Sequence, residues 1–171
     1  MNSYRLQYGL TASFSVFAIG LMVSATSPTT TMSAASPPLD AKTHQAMIDA
    51  INDEFHARAF YTAVIQKFGT LRPFSNIVQA ENRHVQHWET LFQRYGIPIP
   101  QDTFADRVDA PQTLRQACQM GIDAEIANIK LYDNFLNFVQ QTDLRDLFTQ
   151  LRSVSENNHK PAFERCLQRQ S

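Results

Sequence analysis

The sequence predicts an all-α protein, a four-helix bundle with a long crossover between its second and third helices. Three observations point there. Four stretches carry apolar residues at three- and four-residue spacing, no stretch shows the alternation of a half-buried strand, and residues 97–110 have no period at all.

The first helix is expected from Asp40, a suitable N-cap, to Gly69, which suits a left-handed closing position. Its inward stripe is Met47, Ile51, Glu54, Phe55, Arg58, Tyr61, Thr62 and Ile65. The second helix begins near Pro73, where a missing amide hydrogen costs nothing, and ends at Gly96. Its stripe runs Phe74, Ile77, Glu81, His84, Val85, Trp88, Leu91, Phe92 and Tyr95. Residues 97–110 contain Pro98 and Pro100 and are long for a link between neighbouring helices. At about 3.3 Å per extended residue they can travel the length of a bundle, so the third helix need not run antiparallel to the second. The third helix is expected from near Pro111, with Leu114, Cys118, Gly121, Glu125, Asn128, Ile129, Tyr132, Phe135 and Val139 on one face. The fourth follows Gln141-Thr142 and carries Leu144, Leu147, Phe148, Leu151, Ser155, His159, Ala162 and Cys166, with Glu156 on the flank nearest His159. Pro161 lies inside this pattern and predicts a kink or local loosening one turn after His159.

Residues 36–171 form the bundle, and residues 1–35 read as a secretory signal peptide. Arg5 is their only charge, an apolar run spans Phe14 to Ala25, and a Ser-, Thr- and Ala-rich stretch follows. Cleavage is expected after Ser33-Ala34-Ala35, with Val23-Ser24-Ala25 as a second candidate site. An uncleaved anchor is the competing reading, but the run is short against the roughly 20 residues of a spanning helix. The mature protein is therefore expected outside the cytoplasm, periplasmic or extracellular, with no stable membrane span. Charged residues make up 18% of the chain and nearly cancel, so no basic field exists for nucleic acid. Oligomeric state is left open, a homo-oligomer included.

Glutamates stand in the middle of the apolar stripes of the first three helices, and a fourth borders the stripe of the last. A buried carboxylate needs a counter-charge, because removing an unpaired charge from water costs several kcal/mol. Arg58 is the one basic residue on the inner face of the first helix and the second has none, so bound cations are the simplest compensation. Glu81-Asn82-Arg83-His84 and Glu156-Asn157-Asn158-His159 are both Glu-x-x-His, and residues three apart on a helix point the same way. With Glu54 and Glu125 they make the ligand set of a carboxylate-bridged two-metal bundle. An internal repeat agrees: Glu54 precedes Tyr61 by seven residues, Glu125 precedes Tyr132 by seven, and each unit is followed by Glu-Asn-x-His. A pseudo-two-fold bundle follows, one half per metal.

These motifs resemble the ferritin-like, rubrerythrin-related di-iron proteins, and most of all an uncharacterised family of small prokaryotic ferritin-like domains. The resemblance covers Glu54 to Phe68, Arg72 to His84, Glu125 to Tyr132 and Ser155 to Cys166. It implies bridging roles for Glu81 and Glu156, terminal roles for Glu54, Glu125, His84 and His159, and iron as the usual metal. The chain departs from rubrerythrins at Asn128, where they place a further carboxylate, and it has no Cys-x-x-Cys pair for an attached iron-sulfur donor.

Tyr61 and Tyr132 are the candidate catalytic residues, two turns from a glutamate ligand, where their hydroxyls could donate to the centre or carry a radical; packing in the core is the plainer reading. Arg58 either partners a carboxylate or turns outward. His44, His56 and His87 lack partners at ligand spacing and are expected on the surface. Cys118 and Cys166 each lie seven residues from a ligand, about 10 Å along the axis, and so fall level if the last two helices are antiparallel. A disulfide is natural there, with a redox-active or metal-binding thiol pair as the alternative.

The expected function is a di-metal protein, with iron favoured and manganese or zinc also suited to the donors, that reacts with dioxygen or hydrogen peroxide as a ferroxidase or peroxide scavenger. Two alternatives use the same bundle: a non-catalytic metal-binding or buffering protein of the cell envelope, and a partner-binding bundle without a metal.

Overall fold

The computed structural model describes residues 39–170; the predicted signal peptide, residues 1–35, lies outside them. Among the described residues all regular structure is helical. The elements are α1 (Ala41–Phe68), α2 (Phe74–Tyr95), α3 (Leu114–Leu136), α4 (Thr142–Val154), a π-helical turn (Ser155–His159) and α5 (Lys160–Gln168). No described helix is long and apolar enough to cross a membrane.

Each boundary has a local cause. Asp40 is extended and its carboxylate accepts the Thr43 amide at 2.8 Å and the Thr43 hydroxyl at 2.9 Å, which satisfies a free donor of the first turn. Gly69 closes α1 with φ 90°, a region that favours glycine, but ψ is 175°, so the chain leaves extended and not in the left-handed helical conformation expected. Gly96 does adopt that conformation, at φ 67° and ψ 28°. The third helix starts three residues later than Pro111 suggested. Thr113 and Gln116 form a capping box, the Thr113 hydroxyl accepting the Gln116 amide and the Gln116 side chain accepting the Thr113 amide.

The loosening expected after His159 instead falls before it. Pro161 has no amide hydrogen for the Asn157 carbonyl, and its ring crowds that carbonyl. The backbone winds wider over Ser155–His159, and the Lys160 amide donates to the Ser155 carbonyl five residues back.

The core has two lobes. One gathers Met47, Ile51, Trp88, Tyr132, Phe135 and Phe148, and the other gathers Phe60, Tyr61, Phe74, Val78 and Phe163. α3 and α5 approach so closely at Gly121 that an added Cβ would sit 2.7 Å from the Phe163 ring. Beside this contact the Cys118 and Cys166 sulfurs are at disulfide distance, 2.00 Å. The connection between α2 and α3 lies against α1: Asp102 accepts from Arg58 at 2.7 Å, and Lys67 donates to the Pro111 carbonyl at 2.8 Å.

Candidate metal centre

Five titratable side chains meet between the two lobes. Glu54 comes from α1, Glu81 and His84 from α2, Glu125 from α3 and His159 from the π-turn, and all are buried. They form two groups with donor atoms close enough to share an ion: Glu54, Glu81 and His84 in one, Glu81, Glu125 and His159 in the other. Glu81 belongs to both. Regular winding of α2 brings Glu81 and His84, three apart, onto one face, with His84 Nδ1 2.8 Å from Glu81 Oε2 and 3.1 Å from Glu54 Oε2. On the other side His159 Nδ1 lies 3.3 Å from Glu81 Oε1 and 3.4 Å from Glu125 Oε1. The two imidazoles stack at 5.8 Å between centroids.

The tyrosines are core residues and hydrogen-bond donors at once. Tyr61 of α1 donates to Glu125 Oε1 of α3 at 3.0 Å, and Tyr132 of α3 donates to Glu54 Oε1 of α1 at 2.6 Å. Each phenol thus serves the glutamate of the opposite half. Burial, reinforced by the charges of the neighbouring carboxylates, pushes both phenols well above their ordinary pKa, so they remain protonated donors.

Glu156 is the one expected ligand that the structure does not bring to the centre. The wider winding of the π-turn rotates residues three apart away from each other, so His159 faces inward while Glu156 is exposed. There it accepts from Arg152 Nη1 at 2.7 Å. Arg58 also turns outward, to Asp102, and gives the buried carboxylates no counter-charge. His56 and His87 are exposed, whereas His44 is half-buried.

Sequence reading missed Asp53. It lies beside Glu54 but off the apolar stripe, yet it lines a cavity of about 120 Å3 together with Tyr61, Glu81, Glu125 and Asn128. Burial, with the charges of Glu54 and Glu125, pushes its carboxyl up to about 7. Its only sequence signal is adjacency to a ligand candidate. This cavity is an opening toward the shared carboxylate, and His56 and Asp109 stand on its wall.

Protonation reports the strain of gathering these groups. Burial would lower the His84 pKa, but hydrogen bonds and charge from Glu54 and Glu81 outweigh it and raise the ring to about 10. Burial and the Glu54 charge hold Glu81 well above the carboxylate range, whereas His84 overcomes burial at Glu54 and lowers it. Without metal, then, a proton on His84 offsets part of the negative charge, and the surroundings of Glu81 favour its neutral form. Glu125 Oε2 stays buried with no hydrogen-bond partner, a cost that a bound cation would remove. These buried Glu and His groups could hold a metal ion.

No family model matches the chain, and no curated protein matches it. Among solved structures it is similar to the crystal structure of hypothetical protein MJ0754 from Methanococcus jannaschii DSM 2661. The TM-score is 0.70 at 22% identity, over 78% of this chain and 84% of that one, a likeness of fold.

Proposed function

We propose that this protein is a ferritin-like di-metal protein, with iron as the favoured metal, that oxidises ferrous iron with dioxygen or reduces hydrogen peroxide. The observation that carries the reading is the sharing of Glu81 by two three-donor groups, each completed by one terminal glutamate and one histidine Nδ1.

The donors fit. Three carboxylates and two imidazole nitrogens converge, no Lys or Arg faces them among the described residues, and Glu125 Oε2 lacks a partner. Glu81 would bridge, Glu54 and His84 would complete one site, and Glu125 and His159 the other. Glu156 would join as the second bridge only if the π-turn rewound. Iron supplies reversible one-electron chemistry when bound, and manganese or zinc would accept the same donors. Tyr61 fixes Oε1 of Glu125, the oxygen that also faces His159, Tyr132 fixes Oε1 of Glu54, and each phenol holds a proton at Oη within reach of a ligand carboxylate. They are the candidate catalytic residues. The opening beside Asp53 admits a molecule the size of dioxygen or peroxide to Glu81 and Glu125.

Tyr61 pairs with Glu125 and Tyr132 with Glu54, which sets α3 antiparallel to α1; α2 is antiparallel to α1 as well, through Glu54 with His84 and Arg58 with Asn82. That pairing supports the ferritin-like crossover. Export rests on the leader sequence and is supported by the Cys118–Cys166 pair.

A second reading, metal holding without turnover in the cell envelope, is favoured by one observation: the outward Glu156 leaves three carboxylates at the centre. Anaerobic loading with ferrous iron followed by air decides. About two irons per chain, oxidised faster than iron in buffer, is the expected result; loading without that acceleration supports metal holding. Metal content well below about one per chain, with no rise in melting temperature on adding metal, overturns both.

A further inference from the structure

A second cavity, of about 480 Å3, is lined in part by His159. Its polar wall is Arg72, Asn76, Asn158, His159, Arg165 and Arg169, and no Asp or Glu lines it. Arg72 belongs to the turn before α2, Asn76 to the first turn of α2, Asn158 to the π-turn, and Arg165 and Arg169 to the end of α5. The ion pairs of the described residues engage Arg58, Arg94, Arg152 and Lys160, and none engages these three arginines. Three arginines without a counter-charge therefore line one concavity, an arrangement that an anion stabilises.

His159 gives this cavity more than a wall. Its Nδ1 faces Glu81 and Glu125, so Nε2, on the opposite edge of the ring, is turned away from them, and no side chain among the described residues is bonded to it. The residue is 6% exposed, and it is part of this cavity's lining. A ligand histidine ordinarily gives its second N–H to a carboxylate, a carbonyl or water, which fixes the tautomer and makes the coordinating nitrogen more basic.

We propose that this cavity binds a phosphate-type oxyanion, held by the guanidinium groups of Arg72, Arg165 and Arg169 and accepting the Nε2–H of His159. Arginine's planar fork matches a tetrahedral oxyanion, and several acceptor oxygens on one ion are needed to meet three forks and an imidazole. The volume leaves room for a small organic group, so the anion is inorganic phosphate or the terminal group of a small phosphate monoester. Binding would couple to the metal centre through the imidazole, and the coupling is reciprocal; that consequence, unlike the anion site itself, rests on the function proposed above.

Calorimetric titration of the metal-free protein with inorganic phosphate, at about 0.15 M salt to screen loose surface binding, is the test. Saturable binding is expected, weakened about tenfold or more by Arg165→Gln or Arg169→Gln and partly retained by Arg165→Lys, while Arg107→Gln, an exposed arginine outside the cavity, leaves it unchanged. All four substitutions fall at exposed positions, and unchanged melting curves show that the variants fold. In 15N spectra of histidine-labelled protein, phosphate should shift the Nε2 signal of His159 and leave that of His84 in place. Glycerol phosphate binding as tightly as phosphate identifies a monoester as the guest, and much weaker binding identifies the free ion. Absence of saturable heat, equal binding by the arginine variants, or an unmoved His159 signal overturns the proposal. Phosphate binding to protein that takes up no metal leaves this site standing and removes only its coupling.

Discussion

The same four-residue motif, Glu-Asn-x-His, occurs once in each half of the molecule and folds in two ways. In α2 the winding is regular, Glu81 and His84 face the centre together, and the imidazole sits 2.8 Å from its own motif's carboxylate. In the π-turn His159 faces the centre while Glu156 faces solvent and Arg152. The difference traces to one residue: Pro161 follows the second motif, whereas Val85 and Gln86 continue the first as ordinary helix. A motif on a helix is a statement about direction, and direction depends on winding as much as on spacing.

That asymmetry predicts its largest consequence at the two glutamates. Glu81→Gln removes the donor common to both groups, and metal affinity should fall at least about 1000-fold for both ions, measured by competition with a chelator. Metal-free stability should change little, because burial and the Glu54 charge favour the neutral form of Glu81 there, which Gln resembles. Glu156→Gln touches an exposed pair and should cost less than about threefold. Equal losses from the two substitutions would show that metal draws Glu156 inward and that the halves become alike.

The second half also carries the only cysteine pair, and it closes α3 onto α5 beside the tight Gly121–Phe163 contact. Cys118→Ser should lower stability by about 2–4 kcal/mol in denaturant unfolding. The loss should loosen His159 more than His84, so metal at the Glu125 and His159 side should be the first to leave. Uniform loss from both sides would contradict a second half fastened separately.

Acidity should distinguish the halves by a smaller margin. His84 rises from 6.5 to about 10 on folding, so its stabilising contribution is complete below about pH 6.5 and is lost as pH rises through about 10. Glu81, also raised, favours the fold in the same direction, while the lowered Glu54 contributes above its ordinary value of 4.5 and is lost on acidification. The melting temperature of the metal-free protein should therefore fall between about pH 6 and pH 9, and the gain on adding metal should grow over the same range because the metal displaces protons. His84→Gln should flatten that decline. A slope unchanged in this variant would place the titration elsewhere.

Much of this arrangement is legible in the sequence, for a physical reason. Glu54, Glu81 and Glu125 interrupt apolar stripes, and a charge in such a place needs an explanation whatever the fold; His84 stands out because it is three residues from one of them. The rest is hidden for equally definite reasons. A pattern read at about 3.6 residues per turn does not locate a π-turn, so Pro161 predicts the loosening one turn too late and Glu156, on the flank of its stripe, still reads as the counterpart of Glu81. Asp53 is about 100° around the helix from Glu54 and looks solvated, although a neighbouring cavity reaches it. Spacing within one helix says which face Tyr61 and Tyr132 occupy, but not that each donates across to the other half's glutamate.

Pro161→Ala sharpens the comparison most directly, with an expected effect well below that of Glu81→Gln. It restores an amide hydrogen for the Asn157 carbonyl and removes the ring that crowds it, so residues 155–159 should rewind as α-helix and turn Glu156 toward the face of His159. Metal affinity should rise about tenfold by chelator competition, the gain expected from one more carboxylate donor offset by loss of the Arg152 pair. The gain must vanish in the Pro161→Ala, Glu156→Gln double variant, since the two changes act through one side chain and cannot be additive. If affinity stays level and Glu156→Gln is silent in both backgrounds, Pro161 is not what holds the turn open. Arg152, which binds both Asp133 of α3 and Glu156, would then be the residue that keeps the two halves different.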